Sequence, residues 1–168
     1  MRSRPGRISL EKIAGMDVSD RCLEIAHKRI GPERLPHRIK DKICLFQGSL
    51  IYKDKRFSGF DAALVIEVIE HLDPPRLAAF EKVLFKHAKP ETIIITTPNR
   101  DYNAVWESLA EGAMRHGDHR FEWTRDEFKT WADRLAEQYQ YCVAYVSIGP
   151  ESKTLGSPTQ MGVFKRED

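Results

Sequence analysis

Disulfide chemistry is the first thing this sequence is short of. Its three cysteines, Cys22, Cys44 and Cys142, are odd in number, widely spaced and without a CxxC pair. That excludes a disulfide framework and a thiolate zinc site, and the three read as small buried hydrophobes in a reducing compartment. Long hydrophobic runs are missing too. No stretch approaches a membrane span, and the arginine-rich start lacks the apolar segment of a secretory signal, so the reading is of a cytoplasmic protein without membrane contact. Charge of one sign is the third absence. With 27 basic against 25 acidic side chains the net charge is +2, so no overall basic field announces nucleic acid, and any such partner must be gripped locally. There is no internal repeat.

What is present fits an ordinary folded chain. Its 168 residues, 41% apolar and 31% charged, suffice for one domain with a real core. Residues 1–11 read as a disordered start, and 12–168 as a single domain. Lys12 to Val18 reads as a strand ending at Asp17. Ser19 caps the next helix, whose Leu23, Ala26 and Ile30 share a face, and Gly31-Pro32 ends it. Ile43 to Gln47 is the second strand, with Gly48 and Ser49 at its carboxyl end. Asp73 followed by Pro74 opens a helix with Leu77, Phe80, Leu84 and His87 on one stripe. Thr92 to Thr97 is a buried strand stopped by Pro98. Val105 to Met114 carries a helical pattern. Thr124 with Glu127 is a capping box, and the helix it starts buries Phe128, Trp131, Leu135 and Tyr139. Strands at Tyr141 to Ile148 and Met161 to Phe164 close the chain. The alternation predicts a mostly parallel α/β sheet with an antiparallel edge, whose strand ends set Asp17, Ser49, Glu67 and Pro98 along one rim.

The stretch that carries chemistry is FDAALVIEVIEHL, residues 60–72. Ala62 to Ile66 read as a strand buried on both faces, and the run then delivers Glu67, Glu70 and His71. If the backbone turns helical at that point, the three sit at i, i+3 and i+4, on one face of one turn. Two carboxylates with an imidazole suit Mg²⁺ or Mn²⁺ and tolerate Zn²⁺ or Co²⁺. The plainer alternative is a helix start with acidic residues at the positive end of its dipole. His27 and His87 lack acidic company and read as packing or surface residues. In RHGDHRFEW, residues 115–123, cations alternate with aromatic rings.

EVIEHL, TTPNRDYN and RHGDHRFEWTRDEF together resemble the small-RNA 3′-terminal ribose 2′-O-methyltransferases, and GSPTQMGVF resembles their bacterial RNA-repair branch. The likeness runs from about Ala14 to the C-terminus. It implies a class I S-adenosylmethionine-dependent methyltransferase, a Rossmann-like sheet. It further implies Glu67, Glu70, His71 and His119 as ligands of one divalent metal (Mg or Mn), with Asp17 on the cofactor ribose and Ser49 near the adenine. His116 is the rival to His119 as ligand and otherwise the residue to accept the hydroxyl proton. Arg115, Arg120, Phe121 and Trp123 either hold the RNA 3′ end or pack their loop onto the sheet. RNA-repair kinase or ligase partners belong to the same implication.

One departure from that family is plain. The family opens with a strand and a glycine-rich turn that cradles the methionine end of the cofactor, and no GxGxG-like run occurs here. The first strand of this chain corresponds to the family's second, so the central strand is missing. The Ile13 and Leu64 strands are therefore expected to face unpaired ladders and uncovered apolar surface, as in a fragment or a mis-started reading of a longer chain. Two other functions compete: a metal-dependent phosphoester hydrolase, and a non-catalytic RNA-binding remnant that cannot hold cofactor.

Overall fold

The computed structural model describes residues 10–107, 109–110 and 112–167. Of the disordered start expected over 1–11, only Leu10 and Glu11 are among them, and both lack regular structure. The single domain read from residue 12 onward divides by its internal contacts into two compact units, Met1–Ser49 and Leu50–Asp168.

The first unit holds β1 (Ile13–Asp17), α1 (Asp20–Ile30), a short α2 (His37–Lys40) and β2 (Ile43–Gln47). Both ends of α1 are set by local chemistry. Ser19 Oγ accepts from the Cys22 amide, and Gly31, at φ 57°, caps the other end by sending its N–H to the His27 carbonyl. A left-handed φ is where glycine alone is unpenalised. The two strands pair in parallel from Ile13 with Ile43 to Asp17 with Gln47. Among the described residues β1 has no other neighbour.

The second unit is built on a four-stranded sheet in the order β3 (Ala62–Ile66), β4 (Thr92–Pro98), β6 (Thr159–Arg166), β5 (Tyr141–Ile148). β3 and β4 are parallel, whereas β6 runs antiparallel to both β4 and β5. The antiparallel end is as read, but this sheet is not mostly parallel: among the described residues one of its pairings, β3 with β4, is parallel and the other two are antiparallel, because β6 returns between β4 and β5. β4 lies inside the sheet, which is why its isoleucine run is an asset: Ile93 and Ile95 are fully buried. β3 is different. It was expected to be buried on both faces, yet Leu64 is 67% and Ile66 50% exposed and only Val65 is sealed. The cause is its position, because among the described residues β3 pairs with β4 alone and its other ladder is open.

Two helices cover the core. After a 3₁₀ turn over Pro74–Arg76, α3 (Leu77–Glu81) widens into a π-helical stretch, Lys82–Ala88, closed by the Lys89 N–H on the Leu84 carbonyl. The extra residue per turn brings Val83, Leu84 and Phe85 inside together and leaves His87 exposed, so the stripe read from a 3.6-residue period fails at its last member. Asp73 makes no capping bond; its carboxylate faces the Arg76 and Arg120 guanidinia at 3.5 Å. α4 (Arg125–Tyr139) starts with the predicted capping box, the Thr124 side chain accepting from Glu127 N and the Glu127 carboxylate accepting from Thr124 N. It buries Phe128, Trp131 and Leu135, and Tyr139 stacks on Phe85 at 5.6 Å. The indole N–H of Trp131 donates to Glu81 Oε1 at 2.8 Å, so the carboxylate buried there is not orphaned.

Two more expectations need correction. The helix read over Val105 to Met114 is not formed among the described residues; a 3₁₀ turn, Arg100–Val105, is followed by turns and bends. Cys22, Cys44 and Cys142 are all exposed. α1 buries none of its residues completely, and Cys142 is on the edge strand β5. No helix among the described residues is long and apolar enough to cross a membrane.

The open edge of β3 makes a contrast that urea unfolding can measure. Ile95→Ala should cost about 2 to 5 kcal/mol, whereas Leu64→Ala, taken from a largely exposed position, should cost under about 1 kcal/mol.

Candidate metal-binding and catalytic site

The site begins where β3 ends. The Glu67 amide still follows the sheet, donating to the Thr96 carbonyl at 3.2 Å and to Thr96 Oγ1 at 3.0 Å. Its φ is 51°, a left-handed value that costs a non-glycine residue about 1 to 2 kcal/mol. The chain therefore swerves before coiling, and the short 3₁₀ turn covers Ile69–His71 only. The one-face helical turn read from the spacing is thus not what forms. Ile69, wholly buried, anchors the turn in the core and draws Glu70 in with it, while His71 points outward.

A second segment closes over this turn. The Arg120 amide donates to the Glu70 carbonyl at 2.7 Å, which brings His119 alongside. The His71 and His119 rings meet edge to face with centroids 4.9 Å apart. One ligand atom from each of Glu70, His71 and His119 lies within 4.8 Å of the others. Ligands facing each other across an ion with bonds of about 2.1 Å stand about 4.2 Å apart, so the three are close to ligating distance. Glu67 is exposed and outside that trio, although its charge reaches both Glu70 and Arg115.

The electrostatics centre on Glu70. Its Oε2 accepts from Thr97 Oγ1 at 3.0 Å, and its Oε1 is buried without a partner. Burial, with repulsion from Glu67 adding to it, pushes the Glu70 carboxyl up to about 7, against the opposing pull of Thr97 and His119. A buried oxygen that lacks a donor, next to two imidazoles, is the donor set a hard or borderline cation completes.

Each histidine is tied back through Nδ1. His119 Nδ1 is 2.6 Å from Glu122 Oε1, and His71 Nδ1 is 3.3 Å from Asp118 Oδ2. The other oxygen of Asp118 bonds His116 Nδ1, so one exposed carboxylate bridges two imidazoles. His116 is 71% exposed, with its ring centroid 5.7 Å from that of His119. Burial pushes the Glu122 carboxyl up, but hydrogen bonds from Asn103, His119 and the Arg115 amide outweigh it and hold the group below the usual glutamate range. Glu122, Asp118 and Asn103 were missed in the sequence. The one available signal was a carboxylate three residues after a histidine in a loop.

Two groups of candidates sit elsewhere or do other work. Asp17 and Ser49 belong to the first unit, at the carboxyl ends of parallel strands, where the Gly48 amide bonds the Asp17 carbonyl at 3.1 Å. Asp17 Oδ1 accepts from the Ser19 amide at 2.8 Å, the helix-entry role. Arg115 is a strut: its guanidinium donates to Asn103 Oδ1, the Pro158 carbonyl and the Asn99 carbonyl, and lies 4.4 Å over the Trp106 ring. Phe121 and Trp123 pack on each other at 4.5 Å and against the core. Phe121 and Trp123 thus pack the loop as their plainer reading has it, and both stay partly exposed.

Similarity to known proteins agrees with the fold. No protein-family model matches the chain. A glycopeptide N-methyltransferase, MtfA, solved with S-adenosylmethionine shares the fold alone, at 11% identity and TM-score 0.62 over 94% of this chain and 73% of its own. The architecture is accordingly that of the Rossmann-like S-adenosylmethionine-dependent methyltransferases. Within that class the methyltransferase domain of bacterial CtHen1 is 55% identical, with TM-score 0.83 over 94% of this chain and 78% of that one. The rat small RNA 2′-O-methyltransferase is 35% identical over 164 residues, 94% of this chain. The chain belongs to the small RNA 2′-O-methyltransferase family. It spans about two-fifths of the length of these curated relatives, 41% for the rat and mouse proteins.

The buried carboxyl sets a pH dependence. A group whose folded pKa exceeds its unfolded value holds its proton more tightly when folded, so its contribution to stability is full below the unfolded pKa and fades as pH rises through the folded one. For Glu70 that window runs from 4.5 to about 7. Across it, the metal-free protein should lose on the order of 3 kcal/mol of unfolding free energy relative to Glu70→Gln, read from urea melts at each pH.

Proposed function

We propose that this domain transfers a methyl group from S-adenosylmethionine to the 2′ oxygen of the 3′-terminal nucleotide of an RNA, at a site where Glu67, Glu70, His71 and His119 hold one Mg²⁺ or Mn²⁺. The observation that carries the reading is the buried, unpartnered Glu70 Oε1 beside two imidazoles whose Nδ1 atoms are already engaged by carboxylates. A divalent cation held there would supply Lewis acidity to a ribose hydroxyl, and a free vicinal 2′,3′-diol exists only at a 3′ end.

The chain's own residues supply orientation and proton acceptance. His119, nearly buried, presents a fixed nitrogen; His71, at the rim, meets solvent and the arriving sugar. Glu67, exposed at the head of the same turn, is the fourth ligand of the proposal. His116 has its Nδ1 on Asp118, which leaves Nε2 to take the hydroxyl proton. Arg120, half-exposed beside Asp73, is the cation placed to meet a terminal phosphate. For the methyl donor the chain offers Asp17 for ribose and Ser49 near adenine, and its sequence contains no glycine-rich cradle for the methionine end. A cytoplasmic setting and repair kinase or ligase partners are part of the same proposal, supported by the likeness of GSPTQMGVF to the RNA-repair branch.

Labelled methyl should pass from S-adenosylmethionine to RNA and be lost when the RNA end is first oxidised with periodate. His119→Ala and Glu70→Ala should each lower that transfer by about two orders of magnitude or more. Cleavage of the RNA in place of methylation would favour the hydrolase reading. Calorimetric silence toward S-adenosylmethionine would favour the remnant.

A further inference from the structure

We infer that Glu122 is the positioning residue that sets the ring orientation and tautomer of His119. The inference rests on His119 being a ligand in the reading above and adds what makes it one. Glu122 Oε1 receives His119 Nδ1 at 2.6 Å and the Arg115 amide at 2.7 Å, while its Oε2 receives Asn103 Nδ2 at 2.6 Å. The side chain of Glu122 is 0% and that of His119 8% exposed, so water does not compete for these bonds.

An ionised carboxylate only accepts, as it does here from the Arg115 amide and Asn103 Nδ2. The proton shared with His119 therefore belongs to Nδ1, and Nε2 keeps the lone pair that a cation requires. The hold on Glu122 is itself rigid. Asn103 is bonded through its carbonyl oxygen by Arg115 Nε at 2.7 Å, and the same guanidinium reaches the Pro158 carbonyl at 2.6 Å. The orientation of His119 is thus fixed by a chain of bonds running into the segment between β5 and β6. His71 has a weaker counterpart: its Asp118 partner is 60% exposed, stands 3.3 Å away and is shared with His116. The two carboxylates carry the same charge near the same point and differ in burial and geometry, so comparing them separates positioning from mere attraction of a cation.

The experiment titrates the full chain with Mn²⁺ and follows free Mn²⁺ by electron paramagnetic resonance, in wild type, Glu122→Gln and Asp118→Asn, each checked for its native near-ultraviolet dichroism. The expected result is a dissociation constant raised about 10- to 100-fold by Glu122→Gln and under about threefold by Asp118→Asn. Equal shifts in the two variants, or no shift in Glu122→Gln, overturn the inference while the metal site stands. A wild-type chain that holds no Mn²⁺ overturns the ligand reading as well. Should Glu122→Gln not fold, the metal-free wild type decides by long-range ¹H–¹⁵N correlation of the His119 ring: a proton on Nδ1 and a bare Nε2 support the inference, and the opposite tautomer ends it.

Discussion

A carboxylate oxygen shut away from water without a donor is the constraint to which the rest of this site responds. Glu70 is pulled inward because Ile69 before it is a core residue, and Thr97 on the neighbouring strand satisfies only one of its oxygens. An unpaired charge in such a place costs several kcal/mol. Protein chemistry offers two remedies: keep the proton, which the rise to about 7 favours, or bring up positive charge. The neighbours are arranged for the second. Two imidazoles with spoken-for Nδ1 atoms turn toward the same point, and among the described residues no side chain bonds Oε1.

Keeping that arrangement costs conformational entropy, since one of its members comes from a loop. The loop is tethered at several points by polar side chains, most of them from the motifs that carry the family resemblance. Asn99 sends both amide hydrogens to the carbonyls of Leu155 and Ser157, at 2.8 Å each. Gln160 bridges the carbonyls of Pro98 and Trp123. Arg115 spans Asn99, Asn103 and Pro158. These are buried groups whose hydrogen bonds are nearly all satisfied within the protein, the kind of network that fixes one geometry instead of many. Asn99 and Asn103 of TTPNRDYN and Gln160 of GSPTQMGVF thus help to hold RHGDHRFEW in place.

Much of this was readable one residue at a time where the governing rule is local. The capping box at Thr124, the glycine stop at Gly31, the serine cap at Ser19 and the bounds of β2 and β5 each depend on neighbours within four residues. What escaped depends on partners far off in sequence. The exposure of Leu64 and Ile66 reflects that β3 pairs with β4 alone among the described residues, about which an apolar run says nothing. The π-helical widening at Lys82–Ala88 shifted the buried stripe by packing demand. The swerve at Glu67 puts a glutamate in a conformation its type disfavours, so a helical spacing rule misplaced it. Of the site itself, Glu70, His71 and His119 come together as the sequence pattern and the family resemblance implied, but the carboxylates behind the histidines, Asp118 and Glu122, left almost no sequence signal. They act on ring nitrogens, and a ring nitrogen's partner is legible only in three dimensions.

The left-handed backbone at Glu67 has a consequence for anyone who tries to make this domain sturdier. Glycine or asparagine relaxes that conformation, so a screen that rewards heat resistance alone will favour replacing this glutamate early. The variant so selected would be the better folder and would have discarded the glutamate proposed above as a metal ligand. On that proposal the demands of folding and of chemistry pull apart at this residue, and only selection for both will keep the side chain found there.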